Sequence, residues 1–411
     1  MNTPIGYVRD RGMMKILEFT SSYPNCDNPV SGIFVRDLSG ELSRRFQIVV
    51  LGPGGRGMPE TEHIDGVTVR RFTPGVGNTR FVGTSSGMVP LFKRKKYLWF
   101  LLPFFLLTTF FKLRRVIREE RPDWVHAHWV IPFGLLAVLN RALTRGGGPR
   151  ILVTCHGADI NKLSSRPMLA LKRFVLRRAD AVTAVSETLK GEVLEQGLTD
   201  REISVASMGV ETGRFRRGIP VPDVRAKLGI GSGRYVLAVG SLIERKGVHD
   251  LLEALPEVRK VSGDVHLVYA GDGVLRERLL RRAAELGLSD QVHLAGIVDR
   301  NELPAYFSQA AAFCLPSTFE GLGMVVMEAL CSGCEVVLSS LPVLKNLPDS
   351  DRLFHWCDTG NPASIASALN QALAASAADG ELAFRRSYVE EHFGIRVAAA
   401  RYAAIFERAE A

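Results

Sequence analysis

At 411 residues, with 46% hydrophobic and 23% charged side chains, the chain is too long for one ordinary domain and too apolar to be disordered. Its 52 Lys and Arg against 43 Asp and Glu give a net charge of +9, which suits an anionic partner; with no zinc finger, RNA-binding sheet motif or long basic helix, nucleic acid is excluded as that partner. Six scattered cysteines exclude a disulfide framework and fit a reducing compartment.

In chain order, residues 1–13 lack the apolar centre of a signal peptide and read as a disordered leader. Apolar β-rich runs then predict strands at 15–19, 47–51, 67–70, 124–128, 151–155, 181–185 and 203–206, with amphipathic helical stretches between them. Residues 97–111 (YLWFLLPFFLLTTFF) interrupt this pattern, flanked by Lys93, Arg94, Lys95 and Lys96 and by Lys112, Arg114 and Arg115. They fall short of the roughly 20 residues of a spanning helix, and Pro103 is expected to interrupt any regular helix there. Two readings stand side by side: residues 93–115 lie on an anionic membrane surface, or they form a buried helix of the first lobe. Charging Leu101, Leu102, Phe104 and Phe105 separates them, by release from vesicles in the first case and aggregation in the second. His126 and His128 stand two apart on one predicted strand; at most one is expected to face a cleft, and metal ligation is not expected.

Residues 14–213 thus form one domain, 214–233 a linker containing Pro220 and Pro222, with a short helix at 224–228. Strands resume at 235–239, 265–270, 292–295, 312–315 and 336–339, giving a second domain over 234–392 and a C-terminal helix over 393–411. Strand–helix alternation on this scale predicts an α/β protein of two doubly wound, Rossmann-like domains. They face each other across a cleft at the carboxyl ends of their strands. Cys331 and Cys334 form a lone C-S-G-C that reads as small apolar packing.

The chemistry concentrates in the second domain. After the strand at 312–315 comes EGLGMVVME: Glu320 in a loop, a helix beginning near Gly323, and Glu328 about five residues into it. The free N–H groups of Met324 and Val325, with the helix dipole, favour a phosphate. At about 1.5 Å rise per residue Glu328 sits roughly 7 Å from the helix start, near the span from a diphosphate to its ribose, while Glu320 stays at the mouth for sugar hydroxyls. GSLIERKG, after the strand at 235–239, places Lys246 to neutralise a diphosphate leaving group, with Arg245 as a second donor. In AGDG, Gly271 makes room for a nucleotide. Base selectivity falls to the backbone around Gly296 and Ile297.

Taken together, GSLIERKG, AGDG, HLAGIVDRNELPAYFSQA and PSTFEGLGMVVMEALCSG, with SSYPNCDNPVSGIFVRDLSGEL, DWVHAHW, VTCHGADIN and MGVETGRF in the first half, resemble the retaining GT-B glycosyltransferases of family 4, most closely the cell-surface polysaccharide and teichuronic-acid-type group. The resemblance runs from Met14 to the end. It implies that Glu328 binds the nucleotide ribose, Glu320 the donor sugar and Lys246 the donor diphosphate. His156 would face the sugar across the cleft, and Gly32 would let backbone approach the donor or acceptor. It further implies a UDP- or GDP-linked sugar donor, a glycan or lipid-linked acceptor, no cofactor and no metal, at the cytoplasmic face of a membrane. Two departures stand out: Ser241 where many relatives carry Arg, and LPVLKNLPDS where many show a Gly-Gly-x-x-Glu loop. The alternatives on the same architecture are a sugar-nucleotide 2-epimerase and a non-catalytic nucleotide- or lipid-binding relative.

Overall fold

The computed structural model describes residues 12–26, 28–55, 57–72, 98–144, 148–162, 164–216, 221–375 and 379–408. Residues 1–11 of the leader, the basic run 93–96, Tyr97 and Pro220 lie outside them.

Two sheets build the molecule. The first contains β1 (Lys15–Phe19), β2 (Gln47–Pro53), β3 (Thr61–Ile64), β4 (Val67–Phe72), β5 (Trp124–His128), β6 (Arg150–Cys155), β7 (Ala181–Ala184) and β8 (Ile203–Val205), in the order β3-β4-β2-β1-β5-β6-β7-β8. The second contains β9 (Arg234–Val239), β10 (Val265–Ala270), β11 (Val292–Gly296), β12 (Ala312–Leu315), β13 (Glu335–Ser339) and β14 (His355–Cys357), in the order β11-β10-β9-β12-β13-β14. Among the described strands only β3 pairs antiparallel. The central strands are buried along nearly their whole length, as parallel strands covered by helices on both faces must be. Strand order reverses beside β1 and β9, so the carboxyl ends of both sheets open onto switch points where such folds bind ligands.

The predicted strands are all present. β3 and β14 are additional; at four and three residues they are too short for their alternation to stand out from a loop. The short linker helix forms at Val224–Leu228, capped by the Asp223 side chain at the Ala226 N–H.

Pro103 does not interrupt the apolar segment: Leu98–Glu120 is one helix of 23 residues. Pro103 lacks the N–H that would bond the carbonyl four residues back and crowds that carbonyl, a cost the rest of the packed helix offsets. One face of this helix packs into the first lobe through Phe105, Leu113 and Val116, all fully buried. The opposite face carries Phe100, Phe104, Leu107 and Phe111, between 45% and 86% exposed. The buried-helix reading thus holds for one face, and the other is an exposed apolar face. The spacing of four, three and four residues between the exposed groups aligns them in one stripe.

The chain ends by crossing back. Helix Asp379–Phe393 is fixed to the second sheet by the buried Arg385–Glu335 pair at 2.9 Å. Ile395–Arg408 then packs on the first sheet, where Tyr402 Oη donates to Ala206 O at 3.2 Å and Trp124 Nε1 to Phe406 O at 3.2 Å. The last helix thus completes the core of the first lobe and ties the two lobes together.

Candidate active site

The loop after β9 and the loop after β12 are pressed together. Gly247, at φ 64°, turns the chain into helix Val248–Ser262, and a Cβ there would collide with the carbonyl of Pro316. Beside it Thr318 N donates to Arg245 O at 2.8 Å. These backbone contacts bring two distant side chains into one place: Lys246 Nζ lies 2.7 Å from Glu320 Oε1, both largely buried. The Arg245 guanidinium lies 5.8 Å from the centre of the Phe319 ring, on the same loop pair.

Three residues beyond Glu320, helix Met324–Cys331 begins at Gly323, which sits at φ 72°. No side chain caps this end and its first turn holds no acid, so the Met324 and Val325 amides and the positive end of the helix dipole open beside the Lys246–Glu320 pair. Gly271 forms a bridge with Gly296, joining the ends of β10 and β11; Ile297, next in the chain, is 45% exposed.

The first lobe closes the other side. Gly321 packs so tightly that a Cβ would stand 2.5 Å from His156 O, and Ser186 Oγ donates to Gly321 O at 3.3 Å. The loop bearing Glu320 therefore touches the loop bearing His156 across the lobe boundary. Gly32 turns the chain into helix Ile33–Leu42, and Phe34 in its first turn lies 5.8 Å from the His156 ring. Burial pushes the His156 imidazole well below its usual range, with neighbouring His128 acting the same way, so the ring is neutral at physiological pH.

Glu328 is buried within the helix and paired with Arg300; the other arm of that guanidinium reaches Asp37 on helix Ile33–Leu42 at 2.7 Å. Burial raises the Glu328 pKa, and Arg300 opposes the rise. The carboxylate predicted for ribose thus already has a partner, one that bridges both lobes. Neither Arg300 nor Asp37 emerged from the sequence. Both lie in segments that carry the family resemblance, but 263 residues apart, and only the fold makes them neighbours.

Asp159 does more than begin the helix that follows it. Its two oxygens accept from the amides of His156 and Val130, each at 3.0 Å, clamping the His156 turn to the turn after β5. Cys331 and Cys334 are buried and form no disulfide, and burial pushes Cys331 up to about 12, as expected of packing groups.

The Lys246–Glu320 pair thus stands beside the helix start at Gly323, with the His156 turn of the first lobe packed against Gly321 and Glu328 farther along the helix. A cation, free amides and a carboxylate at that spacing suit a diphosphate joined to a sugar.

Residues 31–214 match the family model described as Glycosyltransferase Family 4, and residues 221–391 that described as Glycosyl transferases group 1. The chain is 31% identical over 305 residues to the alpha-monoglucosyldiacylglycerol synthase of Streptococcus pneumoniae, covering 70% of this chain and 68% of that one. It is 32% identical over 241 residues to the GDP-mannose-dependent alpha-(1-6)-phosphatidylinositol monomannoside mannosyltransferase of Mycolicibacterium smegmatis, covering 55% of this chain and spanning 60% of that relative's length. Its fold is similar to that of sucrose-phosphate synthase from Thermosynechococcus elongatus, with a TM-score of 0.77 at 19% identity over 97% of this chain and 99% of that one.

Proposed function

From the premise that the chain belongs to the family 4 glycosyltransferases of GT-B fold, we propose that it moves a sugar from a nucleotide-diphosphate donor to a lipid-linked or glycan acceptor, with retention of configuration and without a metal. The observation that carries this reading is the Lys246–Glu320 contact at the uncapped start of helix Met324–Cys331. As the bond from anomeric carbon to phosphate breaks, negative charge grows on the leaving diphosphate. Lys246 and the Met324 and Val325 amides lie where they stabilise it, the task a metal performs elsewhere. Glu320 accepts from hydroxyls of the sugar and Glu328 from the ribose. The acceptor hydroxyl attacks from the face the diphosphate leaves, and its proton passes to the departing phosphate oxygen. Arg245 takes the second phosphate contact, in the absence of an arginine at Ser241. Gly271, Gly296 and Ile297 border the nucleotide, and Gly32 lies against the donor or acceptor.

For the acceptor we favour a membrane lipid or lipid-linked glycan of the cell-surface type, used at the cytoplasmic face. Both relatives above carry lipid acceptors or products in their names. No helix among the described residues is long and apolar enough to cross a membrane. The exposed stripe of Phe100, Phe104, Leu107 and Phe111, with Lys112 and Arg115 beside it, suits a helix lying in an anionic headgroup region. Burying one such side chain contributes about 1.5–3 kcal/mol, so Phe104→Asp and Phe111→Asp should each weaken binding to anionic vesicles at least about tenfold while leaving the thermal transition in place. Phe105→Asp, on the packed face, should lower that transition instead. Equal vesicle binding by all three variants would remove the lipid-facing role.

The reaction itself is tested by incubating the protein with radiolabelled sugar nucleotides and a membrane lipid extract. Labelled lipid supports transfer, an altered sugar on the nucleotide indicates a 2-epimerase, and binding without conversion indicates a non-catalytic relative.

A further inference from the structure

The first lobe holds a buried acid that the reaction above does not use. Glu18 in β1 is 1% exposed and stands opposite His126 of β5 in the strand register. Its Oε2 accepts from His128 Nε2 at 2.9 Å and lies 2.8 Å from His126 Nδ1, and His128 Nδ1 is 3.1 Å from His156 Nε2. Residues two apart on a strand share a face, so both histidines turn toward Glu18, and His128 alone reaches on to the cleft. On the far side, His126 Nε2 meets Thr154 Oγ1 at 2.7 Å.

The proton positions follow from this chain of contacts. An ionised carboxylate only accepts, so His128 must carry its proton on Nε2. A neutral imidazole has one N–H, which leaves His128 Nδ1 as an acceptor and makes His156 Nε2 the donor to it. His156 Nδ1 then keeps its lone pair, and it has no hydrogen-bond partner among the described residues. Charge states agree. Burial raises the Glu18 pKa, but the two imidazoles outweigh it and hold the acid near about 2, while burial and His126 push His128 down to about 4. The same trio could be mistaken for a metal site. The His128 Nε2–Glu18 contact at 2.9 Å is a hydrogen bond, and the spectra described below distinguish this chain from a metal site. Trp129, held at φ 72°, packs its ring against His156 with centroids 4.7 Å apart and planes inclined at 34°.

We infer that Glu18 is a positioning residue: through His128 it locks His156 with its proton on Nε2, so that Nδ1 offers an acceptor to a hydroxyl of the bound sugar. The tautomer requires no substrate; the sugar contact rests on the transferase reading above.

Selective nitrogen-15 labelling of histidine, with assignment by His128→Asn and His156→Asn, reads the tautomers of the wild-type protein directly. His128 and His156 are expected to show a pyrrole-like Nε2 and a pyridine-like Nδ1 at neutral pH. Glu18→Gln keeps an acceptor oxygen and should preserve both the signature and most of kcat. Glu18→Leu removes the acceptor and should release the His156 tautomer and lower kcat about 10- to 100-fold, with nucleoside diphosphate affinity unchanged. A wild-type His156 protonated on Nδ1 would overturn the inference, as would metal-shifted His126 and His128 resonances or an unchanged tautomer in Glu18→Leu. Should Glu18→Leu fail to fold, the wild-type and Glu18→Gln spectra decide. The expected tautomers in a protein that transfers no sugar would refute the transferase reading and leave the lock standing.

Discussion

Glu320→Ala is expected to lower turnover by at least about 10²–10³-fold while nucleoside diphosphate binds as tightly as before, or more tightly. In the free protein Glu320 neutralises Lys246 at 2.7 Å, and removing it leaves the ammonium group unopposed for the diphosphate. What disappears is the acceptor for the sugar's hydroxyls, a contact made as the reacting carbon is presented. Glu328→Ala should fail in the opposite way. The lost ribose contact, a hydrogen bond to a charged group of about 1.5–3 kcal/mol, weakens nucleotide binding roughly 10- to 100-fold. It also leaves Arg300 paired with Asp37 alone across the lobes. Calorimetric affinities together with kcat separate the two variants. Small and equal effects from both would remove the division of labour between the two glutamates.

How much of this could be read in advance depended on how locally each feature is encoded. Strands such as 235–239 and 312–315 are continuous apolar runs, and their burial on both faces is what such runs require. The turn at Gly323 and the glycines around Lys246 and Glu320 announce themselves because a helix start left open to a ligand needs small residues beside it. Arg300 was invisible for the opposite reason: its partners Asp37 and Glu328 come from two lobes. Glu18 was hidden inside KILEF, where a lone acid in an apolar strand carries no spacing signal; only the register with β5 brings it to His126 and His128. The apolar helix was misread at Pro103, since a proline in a sequence does not reveal how far the packing of its helix offsets its cost. The return of the last helix to the first lobe likewise lies in tertiary packing, through Tyr402 and Trp124.

The second large effect concerns Lys246. Its ammonium group contacts Glu320, three residues before the helix start at Gly323, and on the proposed reading it acts with the helix amides on the leaving diphosphate. Lys246→Ala should therefore cost turnover heavily, and it should also erase the enzyme's ability to tell a diphosphate from a monophosphate. The most direct measurement is calorimetric: the affinities of a nucleoside diphosphate and the matching monophosphate for the wild-type protein and for Lys246→Ala. A charge-assisted contact of about 1.5–3 kcal/mol predicts a diphosphate preference of roughly 10- to 100-fold in the wild type, shrinking to within about twofold in the variant. A preference of the same size in both proteins would place the terminal phosphate away from Lys246 and contradict the account.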